Sequence, residues 1–181
     1  MSIRYTVAAG ATPAGTWVTD PKTGGGRIIG ECCHFIDLCI YLVGTLPSSV
    51  YARGLSRDPE RDDSFVANVS FTDGSVATLE YLANASAELP KERFEVSSER
   101  KTAICENFRS TTVMGGTPLK TLNQNKGQRE AVLAVIEACR TGAGSPFTLE
   151  ELTANSETTF GILESMRTGQ AVDITAKLAA Y

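Results

Sequence analysis

The chain has 181 residues, of which 42% are hydrophobic and 21% charged, and its formal net charge is −4. This length and composition exclude a disordered chain and indicate one globular domain with a substantial core, while the absence of a basic patch argues against nucleic-acid binding. Since we find neither an apolar run of 18 residues nor a signal-peptide pattern, we expect a cytoplasmic protein without a membrane partner.

The first predicted elements are a strand at 5–9 and a helix that begins after the three glycines Gly24 to Gly26. Glycines without a β-carbon allow positive φ and a close approach of the backbone to another segment or to a ligand. From Ile28 to Val43, apolar residues recur at steps of three and four, which predicts a helix. Gly44 supplies its end.

A polar stripe runs along this predicted helix and contains His34, the only histidine of the chain. At about 100° per residue, His34, Asp37 and Tyr41 share one side, with Glu31 beside His34. An imidazole flanked by carboxylates is the arrangement used for proton transfer, because the carboxylate raises its basicity and sets its tautomer. The alternative is a core histidine bonded to a backbone carbonyl, with the polar stripe as no more than the solvated side of the helix. Periodicity alone leaves both interpretations open.

The middle of the chain is predicted to form strands. Phe65 to Phe71 and Val76 to Leu82 alternate around an Asp-Gly turn, which indicates a hairpin, and further strands are expected at 50–54, 94–98 and 102–106. The charges between Lys91 and Lys101, with Glu92 among them, alternate in sign and are interpreted as a solvated strand face.

Several of these strands carry apolar residues on both faces, as in Phe65, Val66 and Ala67. The predicted helices cannot cover both faces of one sheet, and an uncovered apolar face is commonly buried by a second copy of the chain. We therefore predict a homodimer or tetramer that packs through the sheet, and expect Val69→Glu or Phe71→Glu to disrupt it.

Two capping-box pairs, Asn125 with Gln128 and Thr148 with Glu151, predict two C-terminal helices that end at Gly142 and Gly169. Both helices have apolar stripes that we interpret as core. The stripes are Val132, Val135, Ile136 and Cys139 in the first helix, and Leu149, Leu152, Phe160, Leu163 and Met166 in the second. The predicted fold is one α+β domain over residues 1–181, with a largely antiparallel open sheet and helices on one face.

The five cysteines form an odd set without framework spacing, which indicates reduced thiols. Cys32, Cys33 and His34 are adjacent, but neighbouring helical residues point about 100° apart and no further ligand pair completes a metal site. We therefore expect no bound metal.

Several stretches together carry a longer signature. They are W-V-T-D-P at 17–21, G-G-G-R-I-I-G-E-C-C-H-F-I-D at 24–37, Y-L-V-G at 41–44, N-K-G-Q-R-E at 125–130, S-P-F-T at 145–148, and Glu164-Ser165 followed by Gly169. In this order they resemble the C-terminal domain of the Gfo/Idh/MocA family, nicotinamide-dependent oxidoreductases of sugars and polyols. The resemblance implies NAD or NADP as cofactor and a sugar-like substrate.

The resemblance also implies site residues. In the family an aspartate and a histidine one helical turn apart flank the reacting carbon, and the histidine is the usual acid or base. His34 matches that histidine, whereas Gly30 occupies the aspartate position and Glu31 follows it. We predict His34 and Glu31 as catalytic, because a glutamate at i−3 can reach the histidine on a helix. Arg27, Asp37 and Lys126 are predicted to bind substrate.

The cofactor-binding half of such an enzyme is not visible in this sequence. Family members bind the dinucleotide on an N-terminal Rossmann domain with a G-x-G-x-x-G turn. The glycines between Gly10 and Gly15 have the wrong spacing, and Gly24 to Gly26 follow no predicted strand. We therefore expect this chain alone to bind no cofactor. Two functions remain open: the substrate-binding and oligomerisation domain of an oxidoreductase, or a non-catalytic ligand-binding or oligomerisation module derived from it.

Overall fold

The computed structural model describes residues 1–12, 15–19, 23–55, 64–121 and 123–180. Within these ranges nine strands form one sheet, accompanied by four α-helices. The strands are β1 Ser2–Ala8, β2 Pro47–Gly54, β3 Phe65–Phe71, β4 Val76–Leu82, β5 Glu92–Ser98, β6 Lys101–Glu106, β7 Ser110–Val113, β8 Leu119–Lys120 and β9 Val172–Asp173. The helices are α1 Cys33–Val43, α2 Gln128–Thr141, α3 Leu149–Thr168 and α4 Ile174–Leu178. A 3₁₀ turn at Trp17–Thr19 and a π-helical turn at Ile28–Cys32 precede α1.

The sheet has the order β8-β7-β6-β5-β1-β4-β3-β2-β9. All neighbouring strands are antiparallel except β1 and β4, which pair in parallel. The predicted hairpin is confirmed, and β3 and β4 begin and end at the predicted residues. The α+β fold class with a largely antiparallel open sheet is therefore confirmed.

Helices cover one side of this sheet. Phe65, Ala67, Val69 and Phe71 of β3 are buried on that side, in one core cluster with α1, α3 and α4. Val66, Asn68 and Ser70 alternate with them and reach the opposite side, where they are partly or fully exposed. The predicted arrangement, with helices on one face, is confirmed.

The uncovered side, which we call the open face, is more polar than predicted. Thr6 donates a hydrogen bond to Glu80 and Thr78 donates one to Asn68, both at 2.8 Å, across neighbouring strands of this face. The prediction that both faces of the hairpin are apolar is wrong, because period-two alternation sends most of its large apolar side chains towards the helices. Val69 and Phe71 belong to the core, so glutamates there would test the fold instead of an interface.

The α3 helix keeps its predicted ends but packs through a different face. Thr148 and Glu151 form the predicted capping box, and Gly169 ends the helix in the left-handed conformation. The predicted core stripe is wrong at Leu149, Leu152 and Phe160, which are exposed, and is right only at its end, where Leu163 and Met166 pack on the core. A Cβ on Gly161 would lie 2.8 Å from Val50 Cγ1. Close contact with the sheet favours small residues, and the buried face is Ala154, Thr158, Thr159, Gly161, Ile162, Ser165 and Met166.

The α2 helix has no buried side chain, so its predicted role as core is wrong. An apolar stripe shows that a helix is amphipathic, but it does not identify the surface that covers it. The predicted capping box at Asn125 is also wrong. Gly127 is the N-cap, in the left-handed conformation, and the Asn125 side chain accepts a hydrogen bond from the Gly127 N–H at 2.9 Å.

Candidate functional site

The glycine run before α1 forms a tight structural turn. A Cβ on Gly24 would lie 2.3 Å from the Trp17 carbonyl oxygen, and Gly25 and Gly26 have φ values of +67° and +85°. The close approach that the glycines allow is thus made to the chain's own backbone. Asp20 and Pro21 of the neighbouring sequence signature lie outside the described residues.

The helix that follows does not begin as the regular α-helix that was predicted. The helix begins at Gly26 and Arg27, continues as a π-helical turn at Ile28–Cys32, and becomes a longer α-helix from Cys33. A π turn is wider than an α turn, so the angular offset between Glu31 and His34 differs from the value expected at 100° per residue. Such turns are frequent at functional sites.

Glu31 is held by two partners on its inner side. Its carboxylate accepts a hydrogen bond from the Tyr81 hydroxyl at 2.6 Å. Each of its two oxygens also accepts one from Arg27 Nη2 at 3.3 Å. Burial opposes ionisation of this carboxyl, but the Tyr81 hydroxyl and the Arg27 charge together hold the pKa of Glu31 below its ordinary value. Glu31 is therefore a fixed carboxylate whose described hydrogen bonds run to Tyr81 and Arg27, not to His34. We call Arg27, Glu31 and Tyr81 the Glu31 cluster.

Arg27 ties this cluster to the end of β1. Its Nη1 donates to the Gly10 carbonyl and to the Thr12 hydroxyl, both at 2.8 Å, and its guanidinium lies 5.2 Å from the centre of the Tyr81 ring. Both terminal nitrogens are thus engaged within the protein. The residue predicted to bind substrate anchors the loop that follows β1.

His34 and Asp37 lie further along α1 and are exposed. Partial desolvation and the nearby Glu151 raise the pKa of the Asp37 carboxyl, while the charge of His34 acts in the opposite direction. The charge of His34 therefore acts on the Asp37 carboxyl, although no hydrogen bond or ion pair joins the two side chains among the described residues. The alternative interpretation of His34 as a core histidine is wrong, because its side chain reaches solvent.

A second group of polar residues surrounds Glu92, at the start of β5. Its carboxylate accepts a hydrogen bond from the Tyr5 hydroxyl at 2.6 Å and forms an ion pair with Lys126. The interpretation of Glu92 as part of a solvated face is wrong. On β5, Glu92 and Phe94 point to the helix-covered side, whereas Arg93 and Glu95 lie on the open face. We call Tyr5, Glu92 and Lys126 the Glu92 cluster.

The turn between β6 and β7 supports the Glu92 cluster. Asn107 bonds the Glu92 backbone twice, through its side-chain oxygen at 3.0 Å and its own N–H at 2.8 Å. Phe108 has a φ of +54°, an unusual conformation for a bulky residue. Its ring lies 5.5 Å from that of Phe94 and 5.6 Å from the Lys126 ammonium. Positive φ at both Asn107 and Phe108 is the geometry of the tight turn that joins β6 to β7.

The two clusters lie side by side at the end of the sheet where the central strands β1 and β4 finish and β5 begins. Val7 of β1 pairs with Tyr81 on one neighbouring strand and with Glu92 on the other. The ring of Phe35 lies between them, 5.1 Å from the Tyr5 ring and 6.1 Å from the Tyr81 ring. Sequence reasoning missed this pairing, although inward tyrosines in two strands were a usable signal, since a buried hydroxyl needs a partner.

The two clusters offer hydrogen-bond donors and acceptors, and His34 lies on the helix that follows Glu31. Among the described residues no group of three potential metal ligands occurs, and all five cysteines are free thiols. Among the described residues, the element before the Gly24 to Gly26 turn is the 3₁₀ turn at Trp17–Thr19, whereas a dinucleotide is cradled by a turn between a strand and a helix. None of the helices in the described ranges has the length and hydrophobicity required to cross a membrane.

Several solved structures share this fold. An aldose-aldose oxidoreductase from Caulobacter crescentus, solved with glycerol, superposes with a TM-score of 0.75 at 19% identity, over 95% of this chain and 55% of that protein. An NAD binding oxidoreductase from Klebsiella pneumoniae has a TM-score of 0.77 at 17% identity, with 96% and 58% covered. Levoglucosan dehydrogenase in complex with NADH and levoglucosan has a TM-score of 0.75 at 21% identity, also with 96% and 58% covered.

The chain therefore spans little more than half the length of these proteins, and at such identities the similarity establishes the fold alone. No curated protein shows significant sequence similarity to it. Residues 1–104 match the sequence profile described as the GFO/IDH/MocA C-terminal domain, which covers more than half of the chain. On this match, and with the fold in agreement, the chain belongs to the Gfo/Idh/MocA family and represents its C-terminal domain.

Proposed function

We propose that this chain is the substrate-binding domain of a nicotinamide-dependent oxidoreductase that acts on a sugar-like or polyol substrate. The observation that carries the proposal is the exposed His34 on α1. The charge of His34 acts on Asp37 of the same helix, and Glu31 lies in the turn that leads into it. Family membership supports it, as does the structural neighbour levoglucosan dehydrogenase, which was solved in complex with NADH and levoglucosan.

Oxidation of a secondary alcohol removes a hydride from carbon and a proton from oxygen. NAD or NADP, held by another part of the complete protein, supplies the hydride acceptor. In our proposal His34 accepts the hydroxyl proton, and the Asp37 carboxylate stabilises the imidazolium that forms. Glu31 contributes a fixed negative charge at the start of the same helix, where Tyr81 and Arg27 hold it in place.

The test uses the gene product that contains this chain, assayed for NAD- and NADP-dependent oxidation of a panel of sugars and polyols. We expect His34→Asn to lower kcat by about 10²- to 10⁴-fold, the usual effect of losing a general base, without a change in melting temperature. Tyr41→Phe is the matched control, because Tyr41 is exposed on the same helix.

Near-normal turnover of the His34→Asn variant would contradict the catalytic assignment. Failure of every substrate with both cofactors would favour the alternative, a non-catalytic ligand-binding or oligomerisation module. For the isolated chain we expect no saturable binding of NAD(H) or NADP(H) in isothermal titration, and micromolar affinity there would show that the chain itself holds a cofactor site.

We also propose that the chain forms a homodimer or tetramer through the open face, where the described helices leave the strands uncovered. Because this face carries polar side chains such as Thr78 and Asn68, the interface would be more polar than the helix-covered core. Light scattering at tens of micromolar should show an oligomer, and Thr78→Arg should weaken it. A monomer at that concentration would refute the assembly.

A further inference from the structure

Exposed apolar side chains are concentrated on α2 and on the segment that follows it. Between positions 132 and 160, eight large apolar side chains are 42–79% exposed. On α2, Val132, Val135 and Ile136 share one side of the helix, whereas Glu130 and Glu137 lie on the other. Clustered apolar side chains of this kind mark a surface that a partner covers. We call them the α2/α3 patch, which consists of Val132, Leu133, Val135, Ile136, Phe147, Leu149, Leu152 and Phe160.

The α2 helix requires such a covering surface. It has 14 residues, and the described chain buries none of its side chains. Isolated helices shorter than about 12–15 residues are marginal in water, because most helical stability in proteins comes from the packing of an apolar side. The ion pair between Glu137 and Arg140 is exposed and adds little. Stable helical structure at α2 therefore depends on a contact from outside the described residues.

The α2/α3 patch borders the candidate site at two points. Lys126 of the Glu92 cluster directly precedes Gly127, the N-cap of α2. At the other point, α3 packs against α1, and the charge of Glu151 in its first turn acts on the Asp37 carboxyl. Leu149 lies in the same turn as Glu151. A partner that covers the patch therefore also adjoins the helix that carries His34.

We propose that the α2/α3 patch docks the domain that holds NAD or NADP in the complete protein, an inference that rests on the proposed function. In that function the hydride acceptor and His34 act on one secondary alcohol. Reacting groups must approach to about 3–3.5 Å, so the domain that holds the acceptor has to lie against the surface beside α1.

The size of the compared proteins supports this occupant. At least two fifths of each compared oxidoreductase lies outside the region that this chain matches, which is enough for a second domain. A second copy of the chain is less favoured, because the proposed oligomer uses the open face. That face lies on the side of the sheet opposite α1 and α3.

Hydrogen–deuterium exchange on the complete gene product tests whether α2 is covered. We expect the amides of 128–141 to exchange at least about tenfold more slowly than an unprotected peptide, as in packed helices. Val135→Glu should reverse this, because an unpaired charge is unfavourable in an apolar interface. Glutamate is a better helix former than valine, so loss of helix propensity would not explain faster exchange. Fast exchange of 128–141 in the unsubstituted protein would overturn the inference.

Val76→Glu is the matched control for this variant. Val76 is 40% exposed and Val135 is 42% exposed, but Val76 belongs to the open face, opposite the buried Ala77 of β4. Its substitution should leave the exchange of α2 unchanged. An equal acceleration of α2 exchange in both variants would contradict the docking of a domain on the α2/α3 patch.

The same data identify the occupant. Addition of NADH or NADPH marks the cofactor domain by protection of its peptides, and Val135→Glu should accelerate exchange at a surface of that domain, outside residues 1–181. Acceleration confined to 1–181, or loss of an oligomer in light scattering, would assign the patch to a second copy and overturn the inference. If neither nucleotide protects any segment, the proposed function itself fails, which is distinguishable from an uncovered α2.

Discussion

The Glu31 cluster and the Glu92 cluster each contain a cation, a carboxylate and a tyrosine hydroxyl. In one cluster the cation is the more buried partner of the ion pair, and in the other it is the carboxylate. In the Glu31 cluster the cation is inside, with Arg27 10% exposed and Glu31 37% exposed. In the Glu92 cluster the carboxylate is inside, with Glu92 6% exposed and Lys126 31% exposed. A ligand at this end of the sheet would thus meet a carboxylate on one side and an ammonium on the other. The comparison shows that position in the fold, more than residue type, decides which group is available.

The two clusters should differ most in the free energy of unfolding that is lost when the carboxylate of each is removed. Glu92→Ala leaves the buried Tyr5 hydroxyl without its acceptor and leaves a small cavity, so we expect a loss of about 2–4 kcal/mol in the free energy of unfolding. Glu31→Ala should lower it by about 1 kcal/mol, because Arg27 keeps its bonds to Gly10 and Thr12 and the site is open to water. Urea denaturation of both variants measures the difference, and equal losses would remove the distinction between the clusters.

A smaller effect is expected for the tyrosine hydroxyls. Tyr5→Phe removes a 2.6 Å hydrogen bond to a deeply buried carboxylate, and we expect a loss of about 1.5–3 kcal/mol in unfolding free energy, typical of a bond to a charged group. Tyr81→Phe removes a bond of the same length to the more exposed Glu31, where water can replace it, so about 0.5–1.5 kcal/mol is expected. The same denaturation assay applies. A larger loss for Tyr81→Phe would reverse the assigned order of burial.

The smallest expected effect is the pH dependence of the Glu31 cluster. The pKa of Glu31 is held below its ordinary value of 4.5, so the charged form favours the folded state. Its stabilisation is complete above the unfolded pKa and is lost as the pH falls through the lower, folded pKa. Glu31→Gln should therefore reduce unfolding free energy near neutral pH, and the difference from the unsubstituted protein should shrink below about pH 4.5.

Asp37→Asn is the control for this pH profile, because its sign is opposite. The pKa of Asp37 is raised in the fold, mainly by partial desolvation, so ionisation above that pKa disfavours the folded state. Its amide variant should gain stability relative to the unsubstituted protein as the pH rises. A profile for Glu31→Gln with the same sign as that for Asp37→Asn would contradict the assigned contacts of Glu31.

The two C-terminal helices show how far sequence patterns reach. Both carry amphipathic stripes, and both end at the predicted glycines. Only α3 packs on the sheet, and it does so through Gly161 and other small residues that a search for large apolar side chains overlooks. Short elements such as β7, β9 and α4 were also missed, because two to five residues do not establish a period.

The sequence by itself determined the local features of this protein: the β3–β4 hairpin, the helix ends at glycines, the Thr148 cap and the family signature around His34. These depend on the backbone preferences of a few adjacent residues, which the sequence states directly. The tertiary structure alone decided that Glu92 faces the core, that Glu31 bonds Tyr81 fifty positions away, and that α2 is left uncovered by the described chain. Burial and ion pairing depend on segments distant in sequence, and their positions follow only from how the strands of the sheet are ordered.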